Sequence, residues 1–354
     1  MELEVFFQEY MDIEYTEYKT PFVSVLMPIR NEAQYIEASL GAVLRQDYPS
    51  DKIEILIMDG LSTDETRSII NRIIEQPDIK EKFAAIYLLD NPSHIVSSAF
   101  NIGLAKARGD VIVRVDGHCE IASNYISKCI EILNRTRADC VGGEITTIGR
   151  TRTAKSISLA QSTFFGVGDV IARRRKNWSG YVDTVCFGAY RKEVFAKIGL
   201  FDEELIRNQD DEFNARLVQA GGKIWLDSEV KSTYFSRATL KGLWHQYLYY
   251  GFYKIRFLQK RKMLPSMRQL MPPLFIIGII AVTGLSFCAG TPIWIMSYAG
   301  VYLGMSLLAS IWIASRVRRF YFMLPLIFIT LHVSYGIGYL WGLWEWRRFW
   351  NRIN

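Results

Sequence analysis

Three stretches without a single Lys, Arg, Asp or Glu, residues 270–290, 292–315 and 320–344, constrain this chain more than anything else in it. Each is near or above the ~20 residues that a helix needs to cross a hydrocarbon core. Inside lipid the backbone must satisfy its own hydrogen bonds, so such stretches are helical. The whole-chain hydrophobic fraction, 50%, is ordinary; the signal lies in its segregation. Residues 1–230 mix charge with short apolar runs, as water-soluble α/β proteins do. The chain therefore divides into an N-terminal segment (1–20), a soluble domain (21–235), a basic aromatic segment (236–268) and a membrane domain (269–354) with about three hydrophobic segments.

The net charge of +6 has a location. Between Lys231 and Leu270 stand nine Lys or Arg and no acid, interleaved with Trp244, Tyr247, Tyr250 and Phe257. Such a patch suits nucleic acid in other settings. Beside a membrane segment it suits anionic headgroups, with aromatic rings at the interface, so membrane lipids are the expected partner and nucleic acid is not. The N-terminus, MELEVFFQEYMDIEYTEYKT, is acidic and lacks the basic start of a secretory signal, which predicts a cytosolic soluble domain. Five cysteines form no CxxC pair and indicate neither a disulfide framework nor a structural zinc site.

Through residues 21–116 the chain alternates short apolar runs with helical periodicity: PFVSVLMPI, then a helix; KIEILIMD, then a helix; AAIYLL, a helix, and DVIVRVD. This rhythm predicts an α/β fold, a Rossmann-like, mostly parallel sheet flanked by helices. Ligands of such sheets bind beyond the carboxyl ends of the strands. Asp59 and Asp116 end two of them and are expected at one crevice; the alternative is that each caps the turn that follows. Farther on, NQDDEFNARL places Gln209, Asp210, Asp211 and Glu212 at the head of an amphipathic helix, and KIWLDSEVKSTYF (223–235) reads as the last strands.

Four stretches, PIRNE (28–32), MDGLSTDET (58–66), VDGHCEI (115–121) and NQDDEFNARL (208–217), together resemble the inverting family 2 glycosyltransferases of GT-A fold. The membrane-associated tail resembles bacterial exopolysaccharide transferases of the succinoglycan type. The resemblance implies a nucleotide-sugar pocket made by Pro28, Arg30, Glu32, Asp59, Asn101 and Asp116, with Asp59 receiving the uracil N3–H. It implies a divalent cation, Mn²⁺ or Mg²⁺, at Asp116 and His118, where the family's usual Asp-x-Asp reads Asp-Gly-His. Imidazole suits Mn²⁺ better than Mg²⁺. Asp210 falls on the catalytic base and Gln209 on a position that usually carries Glu. The family's Gln-x-x-Arg-Trp signature is replaced by HQYLYYGFYKIRF, which offers His245, Gln246, Lys254 and Arg256, beside Gln209, for diphosphate or acceptor contact. The run RRRK at 173–176, with Trp178, reads as a charged loop able to fold over the donor.

The function implied is transfer of a sugar, glucose by family analogy, from a nucleotide sugar, UDP-linked by that same analogy, to a polyprenyl-diphosphate-linked or other membrane-bound saccharide. The expected location is the inner (plasma) membrane, multi-pass, with the catalytic domain cytoplasmic. A processive polysaccharide synthase and a non-catalytic scaffold of an export complex are the competing readings. Topology stays open: with the catalytic domain inside, Arg316, Arg318 and Arg319 obey the positive-inside rule, whereas a third full span would export Arg347, Arg348 and Arg352.

Overall fold

Strand β1 (Val23–Ile29) and strand β2 (Ile53–Asp59) are buried at every residue, as expected of parallel strands covered on both faces. The computed structural model describes residues 17–168 and 177–347. Most of the N-terminal segment, the RRRK run and the last arginines, Arg348 and Arg352, lie outside these. β1 runs parallel to β2 on one side and to β4 (Val111–Arg114) on the other, and β3 (Ala85–Asp90) extends the sheet beyond β2. The crossovers are helices α1 (Ile36–Leu44), α2 (Thr66–Ile74) and α3 (Val96–Lys106). This half is the predicted Rossmann-like array.

The second half departs from it. The remaining strands are β5 (Cys119–Ile121), β6 (Cys140–Ile148), β7 (Gly180–Val182), β8 (Ala189–Arg191) and β9 (Ile224–Phe235). The sheet order is β3-β2-β1-β4-β8-β6-β9-β5, with β7 also on β9. β4–β8, β6–β8, β5–β9 and β7–β9 pair antiparallel, and only β6–β9 is parallel. The sheet is therefore mixed, its long pairings parallel as expected and its short ones antiparallel. Strands of three residues carry no readable period, so nothing in the sequence announced their direction. Residues 224–235, expected as more than one strand, form a single one. Helices α4 (Tyr125–Thr136), α5 (Arg152–Gln161), α6 (Glu193–Ile198) and α7 (Gln209–Gln219) complete the domain.

The basic aromatic segment is mostly one helix, α8 (Leu240–Arg261), started by the Thr239 hydroxyl, which accepts from the Gly242 N–H. After it come α9 (Met267–Cys288), α10 (Ile293–Val317) and α11 (Leu324–Glu345), each long and apolar enough to cross a membrane. α8 does not lie open. Its backbone meets that of α11 so closely that a Cβ at Gly338 would collide with the Leu248 carbonyl, and one at Gly251 with that of Tyr335. Phe252, Ile255 and Leu258 are buried there, because an amphipathic helix beside a wholly apolar one loses less by covering it than by wetting it.

Candidate active site

Because β1, β2 and β4 are parallel, their carboxyl ends share one edge, and the loops leaving that edge are tied together. Asn31 and Leu61 both adopt left-handed backbone. The Asn31 N–H donates to Ser62 Oγ (2.9 Å), Glu32 N–H to Thr66 Oγ1 (2.7 Å), and Thr63 N–H to Asn31 Oδ1 (2.8 Å). PIRNE and MDGLSTDET thus form one unit. Pro28 is a buried strand residue opposite Met58. Arg30 is exposed, with its stem against Gly60.

Asp59 differs from expectation. Its carboxylate is fully buried and accepts from Ser62 N–H (3.1 Å), Ser62 Oγ (2.6 Å) and Arg67 (3.0 Å). As folded it offers no surface to a base. It organises the loop instead, since a buried carboxylate is stable only when paired.

At the end of β4 the chain brings distant acids together. Arg114 is buried and donates from Nε and one terminal nitrogen to both oxygens of Asp116 (2.8 and 3.1 Å). Its other terminal nitrogen lies 4.0 Å from Asp210 Oδ2. Asp116 and Asp210 therefore converge on one guanidinium. Burial pulls the Asp116 pKa upward, but the charge and hydrogen bonds of Arg114 outweigh it and leave the carboxyl below its ordinary value. Asp210 goes the other way: burial and the neighbouring Asp211 outweigh Arg114 and raise it. Two acids on one cation are thereby set apart, the condition under which one serves as a fixed anion and the other as a proton acceptor.

His118 follows on the same turn. Its Nδ1 is 2.8 Å from Glu32 Oε1, and its ring meets Tyr234 edge-on. The approach depends on Gly117, where a Cβ would sit 2.9 Å from both Glu32 Cγ and Ile29 Cγ2. Burial disfavours the charged ring, yet Tyr234, Glu32 and Asp116 raise His118 to about 9. Among the described residues no group of three or more His, Cys, Asp and Glu forms a metal cage. What the site offers a cation that brings other ligands is one carboxylate and, once its ring proton is displaced, one imidazole. Asp116 supplies carboxylate, and Glu32 occupies one ring nitrogen of His118, the carboxylate–imidazole pairing found behind metal-bound histidines.

Asp210 and Asp211 open α7, and α8 fixes that end. The Asn208 side chain donates to the Tyr250 carbonyl (3.0 Å), and buried Lys254 pairs with Asp211. Despite burial, that ammonium holds the Asp211 carboxyl below its usual range. Gln246 is buried and donates to Tyr250 Oη (3.0 Å). Gln246 and Lys254 thus buttress the head of α7, and Gln209, also buried, lies on its first turn. Arg256 is instead committed to Glu204 (2.6 Å), and His245 is exposed. Asn101 is likewise structural: it bonds the backbone of Phe201 and the Glu203 carboxylate. Sequence reasoning passed over Arg114, although a cation inside VIVRVD is too costly to bury without a partner, and Arg207, whose charge acts on Asp116 and Tyr250.

Comparison with known proteins places this geometry. Residues 24–199 match the family described as Glycosyl transferase family 2. The succinoglycan biosynthesis protein ExoA of Rhizobium meliloti (strain 1021) is 28% identical over 92% of this chain and 96% of its own. A Methanococcus voltae protein, dolichyl N-acetyl-alpha-D-glucosaminyl phosphate 3-beta-D-2,3-diacetamido-2,3-dideoxy-beta-D-glucuronosyltransferase, is 28% identical over 91% of this chain and 97% of its own. Among solved structures, the mannosyltransferase PcManGT of Pyrobaculum calidifontis, in complex with GDP-Man and Mn²⁺, shares the fold with a TM-score of 0.56 at 18% identity, covering 97% of this chain and 94% of that one. The soluble part of the chain carries, over residues 24–199, a GT-A-like domain of the Glycosyl transferase family 2 type.

Proposed function

We propose that the protein transfers a glycosyl residue from a nucleoside-diphosphate sugar, UDP-linked with glucose as first candidate, to a polyprenyl-linked saccharide at the cytosolic face of the inner (plasma) membrane. The reaction is a single displacement with inversion at the anomeric carbon. One observation carries this reading: Asp116 and Asp210, ninety-four positions apart, meet at Arg114 with opposed pKa shifts. Asp210, raised by burial, takes the proton of the acceptor hydroxyl as its oxygen attacks, and a raised base is better matched to a hydroxyl at neutral pH. Arg114 holds Asp210 in place and limits how far its proton affinity climbs. Asp116 and His118, steadied by Glu32, would hold a divalent cation. When bound, such an ion offsets the negative charge that develops on the departing diphosphate.

The membrane helices favour a lipid-borne acceptor, and so does the dolichyl-linked acceptor in the name of the Methanococcus relative. The donor in the Pyrobaculum structure is GDP-Man, so both the base and the sugar need testing. With Asp59 closed, base selection on this reading falls to the backbone and to Arg30. The test is a panel of nucleotide sugars incubated with purified protein and a crude polyprenyl-linked acceptor, with and without chelator. Release of nucleoside diphosphate that depends on acceptor and is confined to one donor supports the reading. Absence of release with every donor refutes it and favours a scaffold. Products lengthened by many residues would instead favour a processive synthase.

A further inference from the structure

Among the described residues three helices are apolar enough to cross a membrane, but they differ in what surrounds them. In the most apolar windows of α9 and α10, 6% and 17% of residues are buried within the protein; in α11 the share is 50%. α11 is 22 residues long, so it extends about 33 Å. Its first half touches the soluble domain, and its second half lies on α8. At its start, Thr153 of α5 contacts Met323, and Phe328 packs edge-on against Phe165. At its middle, His332 bonds the Phe165 carbonyl (2.8 Å), and Gly338 lies on the backbone of Leu248. At its end, Gly342 meets Phe252 and Ile255, and the Trp346 carbonyl accepts from Gln259 (3.0 Å).

Helix α8, along which α11 runs, cannot itself be immersed in hydrocarbon. Lys254, Arg256 and Lys260 pair with Asp211, Glu204 and Asp202 of the soluble domain, and Arg261 with Glu212. At its other end Tyr247 receives a hydrogen bond from Gln161 of α5. A helix bound to the domain along its whole length cannot also carry one end to the opposite face of a core about 30 Å thick. Yet α11 keeps exposed apolar side chains, Leu326 at its start and Ile337, Trp341 and Trp344 toward its end, within about 60° of one another at 100° per residue, with Leu343 exposed beside them. Tryptophans at one end of such a stripe mark a headgroup boundary.

We infer that only α9 and α10 cross the bilayer, as a hairpin, and that α11 lies along the catalytic face of the membrane beside α8. The partner of the Leu326–Trp344 stripe is the lipid surface. The charges fit. Lys262 and Arg268 at the base of α9, Arg318 and Arg319 between α10 and α11, and Arg347 after α11 then share one side, the side of the domain. The turn at 289–292 that joins the two spans carries no charge and is the part that reaches the far face. Three crossings would strand Arg347 opposite the domain, against the positive-inside rule. This inference does not depend on the glycosyl-transfer reading.

The test is thiol labelling of the full-length protein in sealed membrane vesicles of both orientations, in a background with the accessible Cys186 and Cys288 replaced by Ser. Single cysteines are introduced by Lys52→Cys in the domain, Thr291→Cys, Arg319→Cys and Arg347→Cys, all read with a membrane-impermeant maleimide. Residues 52, 319 and 347 should react from one face and 291 from the other. Reaction of 347 from the face that exposes 291 would establish a third crossing and overturn the inference. A thiol at 291 that reacts from the domain's face, or only after detergent, would overturn the hairpin crossing.

Discussion

Arg114 and Asp116, two residues apart on one strand end, are joined by two hydrogen bonds of 2.8 and 3.1 Å, and the same guanidinium lies 4.0 Å from Asp210. Arg114 therefore opposes the rise in the Asp210 pKa. Arg114→Met should shift the acid limb of kcat/KM to higher pH, because Asp210 then holds its proton longer. It should also cost roughly 1–3 kcal/mol of stability by taking the bidentate partner from the partly buried Asp116. Arg114→Lys, which keeps the charge but not the fork, should recover most of the pH profile and only part of the stability. Rate–pH curves and denaturant melts of the two variants check both statements.

The Glu32–His118 pair gives a second pH dependence with its own sign. His118 is raised to about 9 in the folded protein, from an ordinary value of 6.5. Its contribution to stability is therefore complete below about 6.5 and disappears as pH rises through about 9. In cation-free protein the His118 ring proton should titrate near 9 by NMR, and Glu32→Gln should lower that midpoint. A midpoint near 6.5 in the unmodified protein would contradict the pairing. Added Mn²⁺ should displace the ring proton and bind more weakly, by about tenfold, in the Glu32→Gln variant.

Lys254 is buried against Asp211, and this pair fixes the head of the helix that carries Asp210. Asp211→Asn should destabilise the protein by roughly 2–3 kcal/mol, since it leaves an ammonium buried without its anion. Lys254→Met should cost less and should reduce kcat more than it weakens nucleotide binding, as Asp210 loses its support. Thermal melts together with nucleotide titrations separate the two effects.

What the sequence revealed follows from period and burial. The all-buried runs of β1 and β2, the helices between them and the three apolar helices are legible because each repeats one physical demand over seven or more residues. The short strands β5, β7 and β8 are not, and with them the mixed character of the sheet was hidden. Asp116 is marked in the sequence by a strand end and by motif resemblance, Asp210 by motif resemblance alone. Their meeting point, Arg114, was visible as a cation in an apolar strand, but its partners lie on elements whose approach only the fold defines. A motif position says nothing about solvent access, and at Asp59 Ser62 and Arg67 enclose the carboxylate.

The central claim is that Asp210 removes the acceptor proton, and Asp210→Asn tests it most directly. Burial already penalises this carboxylate, so the amide should fold at least as stably as the parent. The measurement is turnover and nucleotide affinity on the same preparation. The account predicts that the nucleoside diphosphate binds within about threefold of the parent while kcat falls by at least ~10³, the range set by loss of a positioned base. Turnover within tenfold of the parent, with binding intact, would contradict it.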